Sequence, residues 1–365
     1  MSGAFERRAR ACQSELAAGE AVVLFPGPNL YYLTGFWAEP GERHLLLFLP
    51  ARGDPAAVVP ALYAEQLRET WVDDVRVWED GEDPLDAVES VLAGLAPDRL
   101  LVDPTMHARF TLDLRDATDA AMGLADEVLA DLRVRKDDAE LDALRTAAAV
   151  ADDVAREVRG LGAAAVGMTE RELAARIERE LADRGGEEPA FETVVAAGPN
   201  GSRPHHGHGD RTIRAGDPVV LDFGTRVDHY PSDQTRTVVF DGDPPEGFGA
   251  AFEAVRAAQE AAVEAVEPGV AAGDIDRAAR AVLEERGFAD EFLHRTGHGV
   301  GLDVHEAPYI APGNDRTVET GMVFSVEPGV YREGEFGVRV EDLVAVTADG
   351  CERLNSSTRG WRAGG

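Results

Sequence analysis

The sequence predicts a mixed α/β protein of two domains. Its 365 residues are enough for two hydrophobic cores. The first third mixes short apolar runs of strand length with helical stretches, whereas the remainder opens on a long helical pattern and contains two hairpin-like segments. We therefore expect a first domain at 1–133, a second at 134–357 and a short tail at 358–365.

The first domain is expected to be a small α/β unit. Its apolar runs predict strands at 21–25, 44–50, 56–60 and 99–103. Helical patterns near 60–70 and 83–95 separate them. No dense group of Asp, Glu and His with ligand-like spacing occurs in this part of the chain, so we do not expect the reactive site here.

The second domain is expected to consist of two halves of the same kind. A helical pattern runs from about 137 to 161, and Thr169 with Glu172 forms a capping-box signature before a helix that stops at Gly185–Gly186. Further helices are expected near 247–266 and 274–286. A strand pair follows each helix pair, so each half supplies one hairpin.

Each hairpin carries two acidic residues. Asp222 and Asp233 flank a turn expected near Val227–Asp228, and they should therefore face each other across the hairpin. Glu327 and Glu341 flank a turn expected at 333–335. Like charges directly opposite each other on paired strands are destabilising. Two such pairs on apolar hairpins indicate a missing positive charge, most simply a metal.

His298 lies in a glycine-rich segment, RTGHGVGLDVHE, and completes a set of four carboxylates and one imidazole. One divalent ion would not use all four carboxylates, but two ions roughly 3.5–4 Å apart would. Manganese, cobalt, iron and zinc suit these ligands, and the histidine makes magnesium less suitable. Such a pair of ions activates water and polarises a carbonyl group, which is the chemistry of hydrolysis.

Five motifs in this half of the chain resemble the pita-bread metallopeptidases, the family of methionine aminopeptidase, aminopeptidase P and prolidase. They are LDFG with Asp222, SDQTRT with Asp233, GHGVGLDVHE with His298 and His305, VEPGVY with Glu327, and RVED with Glu341. The resemblance implies a pita-bread catalytic domain. It also implies that all five residues bind metal, with Asp233 and Glu341 bridging two ions and with His298 and Glu327 completing one of them.

Other segments resemble the proline-specific branch of this family. They are NLYYLTGF at 29–36, which is similar to part of a creatinase-like N-terminal domain, PNGSRPHH with His205, and Arg339 two residues before Glu341. This branch cleaves the bond that precedes proline with a metal-bridging hydroxide. A homodimer is implied by the resemblance alone.

The same resemblance suggests roles for individual residues. His205, His305, Glu327 and Arg339 would be catalytic, with the two histidines holding the carbonyl oxygen and Glu327 moving a proton to the leaving nitrogen. His205, His305, Tyr331 and Arg339 would contact the substrate. Arg339 could instead be a strand residue paired with an acid, and Tyr331 could be an ordinary core residue. The other histidines are expected to be structural: His44, His107, His206, His208, His229 and His294.

Three functions are compatible with these residues. The first is an Xaa-Pro peptidase, either an aminopeptidase or a dipeptidase. The second is a non-peptidase enzyme on the same fold, such as a creatinase or a lyase, and the third is a non-catalytic binding module. Creatinase-like members and binding modules lose metal ligands, whereas every ligand position is filled here, and this favours the peptidase.

Composition and charge restrict the partners and the location that can be expected for this protein. The net charge is −32, and Lys136 is the only lysine beside 35 arginines, which we interpret as adaptation to high internal salt. The sequence has no stripe of basic residues, so nucleic acid is not expected as a partner. No apolar run is long enough for a membrane span, the N-terminal segment lacks the apolar run of a secretory signal, and two cysteines give no disulfide framework. We therefore expect a cytoplasmic protein.

Overall fold

The computed structural model describes residues 2–363 and is a mixed α/β protein, as expected. The chain divides after Arg133 into two compact units. None of the helices in the described range combines the length and the hydropathy of a membrane-spanning segment.

The N-terminal unit is built on one six-stranded sheet. Its strands are β1 (Glu20–Leu24), β2 (Leu46–Pro50), β3 (Ala56–Pro60), β4 (Asp74–Trp78), β5 (Arg99–Val102) and β6 (Ala121–Leu124). Its helices are α1 (Ser2–Glu15), α2 (Pro28–Thr34), α3 (Ala64–Arg68), α4 (Pro84–Leu95), α5 (Ala108–Asp116) and α6 (Asp126–Arg133). The sheet order is β4-β3-β2-β1-β5-β6, with β2 antiparallel to both of its neighbours and the other pairs parallel.

The four strands predicted in this unit are present, and two more were missed. The missed strands, β4 and β6, form the two edges of the sheet and are half-exposed. Their sequences therefore mix polar and apolar residues and lack the continuous apolar run that marks β1, β2 and β3, which are buried almost throughout. The segment at 29–36 forms most of helix α2, which ends at Gly35 in the left-handed conformation.

The C-terminal unit contains four helices and twelve strands in the described residues. The helices are α7 (Asp138–Gly160), α8 (Glu170–Asp183), α9 (Phe248–Glu264) and α10 (Ala272–Glu285). The strands are β7 (Val194–Ala197), β8 (Pro218–Phe223), β9 (Arg226–Val227), β10 (Tyr230–Pro231), β11 (Gln234–Val239), β12 (Gly297–Gly299), β13 (Glu306–Ile310), β14 (Val323–Val326), β15 (Gly329–Arg332), β16 (Phe336–Arg339), β17 (Asp342–Thr347) and β18 (Gly350–Arg353). All four predicted helices are present.

Two capping boxes fix where the first helix pair begins. The predicted box of Thr169 and Glu172 is present at the start of α8, and Asp137 with Glu140 forms a second box at the start of α7. Lys136, just before α7, is buried and its ammonium lies 2.6 Å from Glu306 Oε1. The chain's only lysine is therefore part of an internal ion pair.

The turn of the first hairpin is centred one residue later than predicted, and its pairing register therefore differs by two residues. Asp228 and His229 form its turn, both with positive φ, and the Glu187 carboxylate accepts hydrogen bonds from both of their amides. Asp222 consequently pairs with Thr235, not with Asp233. The prediction that the two aspartates are directly opposed is wrong. They are diagonal neighbours on one face of the hairpin, because Asp233 lies two residues from Thr235.

The second hairpin keeps the predicted register. Gly329 pairs with Arg339 in the β15–β16 ladder, and Val326 pairs with Asp342 in the β14–β17 ladder. Positions 327 and 341 therefore lie opposite each other, at the point where one ladder ends and the next begins. Backbone hydrogen bonds to other strands replace the ladder there: Glu341 N donates to Thr235 O at 3.1 Å.

Residues 358–363, set apart as a tail from the sequence, are bonded to the C-terminal unit. The Arg159 guanidinium donates to the carbonyl of Gly360 at 2.7 Å. Val239 N donates to the carbonyl of Trp361 at 2.8 Å, which places this segment beside β11. The Trp361 ring also packs edge-on against Phe248 of helix α9.

Candidate metal centre

The five residues expected to bind metal converge on one cavity of about 560 Å³ in the C-terminal unit. Asp222 lies near the end of β8 and Asp233 immediately before β11. His298 lies in β12, Glu327 immediately after β14, and Glu341 between β16 and β17. The two hairpins and the glycine-rich segment thus meet as the sequence indicated, and we call the part of the cavity that these five side chains line the acidic wall.

Three of these residues form the tightest group. Donor atoms of Asp233, His298 and Glu341 all lie within 4.8 Å of one another, and all three residues are buried. His298 Nε2 lies 3.2 Å from Glu327 Oε1 and 3.7 Å from Asp233 Oδ2. His298 Nδ1 lies 3.2 Å from the carbonyl of Gly299, to which it donates. This bond directs Nε2 towards the carboxylates, as a metal-binding imidazole requires.

The electrostatics of the group indicate a missing cation. Burial, reinforced by the neighbouring carboxylates, raises the pKa of both Asp233 and Glu341 well above the usual range. Burial also raises the pKa of Asp222, although Arg339 opposes the effect. Burial alone would raise the pKa of Glu327 as well, but the hydrogen bond and charge of His298 bring it down to about 2.

The donor set fits divalent metal. Asp222 Oδ1 is buried and receives no hydrogen bond from the described residues. A buried carboxylate oxygen without a donor is costly, and a hard cation with oxygen ligands removes both this cost and the mutual repulsion of the group. The four carboxylates and the imidazole therefore provide the ligands that a metal would need.

Neighbouring hydroxyls orient the carboxylates. Thr235 Oγ1 donates to Glu341 Oε2 at 2.6 Å. Ser325 Oγ accepts from His298 N at 3.0 Å and lies 3.2 Å from Glu327 Oε1, to which it donates. Hydrogen bonds of this kind fix the geometry of metal ligands and tune their basicity.

Arg339 connects this group to a second row of side chains. It donates to Asp222 Oδ2 at 2.6 Å and to the Tyr331 hydroxyl at 2.9 Å. The Tyr331 hydroxyl lies 2.9 Å from His294 Nε2, and His294 Nδ1 donates to the carbonyl of Arg295, so the hydroxyl donates to Nε2. Burial raises the pKa of Tyr331 to about 12, and the hydroxyl therefore keeps its proton.

Both alternative interpretations of Arg339 and Tyr331 are partly correct. Arg339 is paired with an acid, as its structural interpretation requires, but that acid is Asp222 and the guanidinium lines the cavity. Tyr331 is a buried residue behind the wall. It reaches the cavity only through Arg339 and His294.

His205 and His305 line the cavity without belonging to the acidic group. The His305 ring lies 4.1 Å from that of His298, centroid to centroid. Desolvation by the wall, together with the positive charge on His298, lowers the pKa of His305 to about 4. His305 is therefore neutral near pH 7 and can donate one hydrogen bond to a ligand in the cavity.

Sequence reasoning missed several residues that line the cavity. His294 and His206, both expected to be structural, line the cavity, and so does Arg295. The signal for His294 and Arg295 was their position four and three residues before His298 in one short segment, HRTGH. His206 follows His205 directly. The structural interpretation does hold for His208, whose Nδ1 donates to the carbonyl of Thr193 at 2.9 Å.

Comparison with known proteins identifies the family. The model of metallopeptidase family M24 matches residues 142–348, more than half of the chain. The chain belongs to metallopeptidase family M24. The model of the creatinase/prolidase N-terminal domain matches residues 9–135. A creatinase-like domain followed by a pita-bread domain is therefore confirmed as the fold of this family member.

Similar proteins cover nearly the whole chain. A probable dipeptidase, PepE, from Mycobacterium tuberculosis is 44% identical over 96% of this chain and 94% of its own length. An Xaa-Pro dipeptidase from Lactobacillus delbrueckii subsp. lactis is 36% identical, with 91% of each chain covered. The crystal structure of a prolidase from Thermococcus sibiricus superposes with a TM-score of 0.94 at 39% identity, covering 98% of both chains.

Proposed function

We propose that this M24 member is a metal-dependent Xaa-Pro dipeptidase, which hydrolyses the bond between the first residue of a dipeptide and a C-terminal proline. The observation that carries the proposal is one cavity in which an acidic metal-type group faces the same space as His205, His305 and Arg295. The similar proteins named as Xaa-Pro dipeptidase and prolidase support the choice of substrate.

We further propose that Asp222, Asp233, His298, Glu327 and Glu341 hold two divalent ions, manganese in preference to cobalt, iron or zinc. When bound, the ions would supply an activated water and polarise the substrate carbonyl. Support comes from the raised pKa of Asp233 and Glu341 and from the unpartnered Asp222 Oδ1. Activity after reconstitution with each metal in turn would test the preference.

Residues of the chain would then perform the remaining tasks. His305, neutral near pH 7, would donate a hydrogen bond to the carbonyl oxygen as negative charge develops on it, and His205 would do the same. One such donor contributes about 3–4 kcal/mol in other hydrolases. The Glu327 carboxylate would accept a proton from the attacking water and pass it to the leaving nitrogen of proline. Arg339 would hold Asp222 and close that side of the cavity.

The apolar part of the cavity suits a proline ring. Phe191, Val194 and Val304 line it beside the acidic wall. A pyrrolidine ring buries apolar surface against such side chains, and its tertiary amide has no N–H that would need a partner. The apolar part of the cavity would therefore accommodate the proline ring of the substrate.

Arg295 is the feature that favours a dipeptide over a longer peptide. Its guanidinium lies over the Tyr309 ring, 4.3 Å from the centroid, and it lines the cavity. The proline of an Xaa-Pro dipeptide ends in a carboxylate, which Arg295 can bind through two hydrogen bonds. A longer peptide has a neutral amide at that position and would gain less from this contact.

Hydrolysis of an Xaa-Pro dipeptide beside an Xaa-Pro-Xaa tripeptide tests the proposal. Both are incubated with the manganese-loaded protein in molar KCl, and metal content is measured on the same sample. Cleavage of the dipeptide alone is expected. Release of the first residue from the tripeptide would instead indicate an aminopeptidase. Cleavage of neither substrate by metal-loaded protein would overturn the proposal in favour of another reaction on this fold. The expected homodimer and cytoplasmic location stay predictions.

A further inference from the structure

One buried carboxylate, Glu170, collects four hydrogen bonds from a single loop. Glu170 is the first residue of helix α8 and is fully buried. Its Oε1 accepts from Ala197 N and from Asn200 Nδ2, both at 2.8 Å. Its Oε2 lies 3.0 Å from His206 Nε2 and accepts from Gly209 N at 3.1 Å. All four donors belong to residues 197–209, which we call the histidine loop.

Glu170 and the histidine loop depend on each other, because a buried carboxylate is costly unless it is hydrogen-bonded. None of the four donors is an arginine or a lysine, so no permanent positive charge among them offsets the burial. Hydrogen bonds to the loop and the positive N-terminal end of helix α8 must provide the compensation. Without the carboxylate, the buried amide of Ala197 would lose its partner.

The other side of the histidine loop contacts the residues of the acidic wall. Arg339 donates to the carbonyl of Pro204 at 3.4 Å, through the same guanidinium that holds Asp222. The loop backbone at Gly201 lies so close to Gly337 of strand β16 that a Cβ on Gly337 would overlap the Gly201 carbonyl. The loop is therefore held between Glu170 and the second hairpin, and His205 projects into the cavity from between these two attachments.

We propose that Glu170 is a positioning residue for the hydrolytic site. It fixes the conformation of the histidine loop and thereby places His205 where it can reach the substrate carbonyl. The kinetic part of this inference rests on the proposed dipeptidase function, whereas the structural part, the dependence of the loop on Glu170, does not.

The experiment compares Glu170→Gln with Glu172→Gln as a matched control. Both residues lie in the first turn of α8, but Glu172 caps the helix through Thr169 and does not bond the histidine loop. The amide nitrogen of the introduced glutamine cannot accept a hydrogen bond, so the Glu170→Gln variant loses the bonds at one of the two oxygens. Asn200→Ala removes one bond from the loop side and serves as a milder second variant.

Two readouts are expected to change in Glu170→Gln. Amide hydrogen exchange of residues 197–209 should accelerate at least tenfold, while the amides of β8 and β11 keep their protection. The kcat for an Xaa-Pro dipeptide should fall at least tenfold, with a smaller change in KM and unchanged metal content, because the contact of His205 strengthens in the transition state. Glu172→Gln should stay within twofold of the wild type in both readouts.

The outcomes test the structural part and the kinetic part of the inference separately. Unchanged exchange in the histidine loop would overturn the role of Glu170, and faster exchange with unchanged kcat would overturn its link to catalysis. Faster exchange throughout the unit would mean general destabilisation and would also contradict the proposal. If the wild type cleaves no Xaa-Pro dipeptide, the proposed function fails and exchange alone decides about the loop. If Glu170→Gln does not fold, Asn200→Ala decides by the same two readouts.

Discussion

Thr235 donates a 2.6 Å hydrogen bond to Glu341 and pairs with Asp222 across the first hairpin. Thr235 thereby connects the two hairpins, through its strand pairing with Asp222 and through its hydroxyl bond to Glu341. Arg339 Nε also donates to Thr235 Oγ1, at 3.0 Å. The two halves of the C-terminal unit are thus joined beside the metal-type group by the hydroxyl of Thr235.

Replacing Thr235 by valine should weaken metal binding. The variant keeps the shape of the side chain but leaves Glu341 Oε2 without its donor, and loss of such an orienting bond typically lowers metal affinity ~10–100-fold. Titration of the metal-free protein with manganese measures the effect. Thr237→Val is the control, since Thr237 Oγ1 bonds only the backbone of Arg339. An affinity equal to that of the wild type would show that Thr235 does not orient Glu341.

Replacing Asp233 should abolish hydrolysis and leave the fold intact. Asp233→Ala removes a ligand expected to bridge both ions, and activity retained in the purified variant would contradict the two-metal assignment. Asp233→Asn should in addition raise the melting temperature of the metal-free protein, because burial and the neighbouring carboxylates disfavour the ionised form of Asp233, and the neutral asparagine does not carry this cost. Differential scanning calorimetry in the presence of a chelator measures this gain.

Arg295 should distinguish a free C-terminal carboxylate from its amide. The wild type is expected to prefer an Xaa-Pro dipeptide over the corresponding Xaa-Pro-amide, and Arg295→Gln should lose about tenfold or more in kcat/KM for the dipeptide alone. Arg277→Gln, at an exposed position of helix α10, provides the control. Equal losses for both substrates would mean that Arg295 does not bind the carboxylate.

The stability of the N-terminal unit should fall below about pH 6.5. Burial lowers the pKa of His44, although its bond to Asp113 opposes the effect. The folded state therefore binds this proton more weakly than the unfolded chain, whose histidine titrates near 6.5. The free energy of unfolding consequently decreases as pH drops through 6.5, and it stops decreasing below the folded-state pKa.

Tryptophan fluorescence can follow this pH effect in urea titrations. Trp78 lies in the N-terminal unit and donates to the carbonyl of His44 at 2.9 Å, so it reports on this region. His44→Gln should be less stable at pH 7.5, because it loses the ring contact with Phe110, yet it should show a flatter profile down to pH 5.5. A slope equal to that of the wild type would exclude His44 as the source.

Salt should stabilise the protein. The protein has a net charge of −32, so its acidic side chains repel one another over the surface. Raising KCl from 0.1 M to 1 M shortens the screening length from about 10 Å to about 3 Å and weakens this repulsion. Urea midpoints should therefore increase over this range, and sucrose of equal osmolality, which does not screen charge, should produce a smaller increase at the lower concentrations. Midpoints independent of KCl would contradict the interpretation of the acidic surface.

The sequence predicted those parts of the structure that depend on local pattern. Helix α8 has a capping box and a glycine stop, and both act within one turn of the chain. The register of the second hairpin followed from the symmetric placement of Glu327 and Glu341 about its turn. The turn of the first hairpin was misplaced by one residue, and its pairing by two, because Glu187, distant in sequence, bonds the amides of Asp228 and His229 and thereby stabilises that turn.

The parts of the site that were missed depend on tertiary contacts. The sequence around His294 does not show its place in the site, because the residue that bonds its ring, Tyr331, lies 37 residues away. From the sequence, Glu170 is an ordinary acid in the first turn of a helix, and only the folded structure shows that the histidine loop bonds it. The five acidic and imidazole residues could be found because each lies in a distinctive motif, whereas Arg295 lies only three residues before His298 and the cavity alone shows what it faces.

The burial of Lys136 has a practical consequence for anyone who handles this protein. Its ammonium is enclosed with Glu306, and the chain has no other lysine. Reagents that acylate or crosslink side-chain amines will therefore find no target on the folded surface, and the same holds for enzymes that acetylate lysine. Acylation of Lys136 would instead signal that the segment before helix α7 has opened, which makes a simple labelling reaction a reporter of local unfolding.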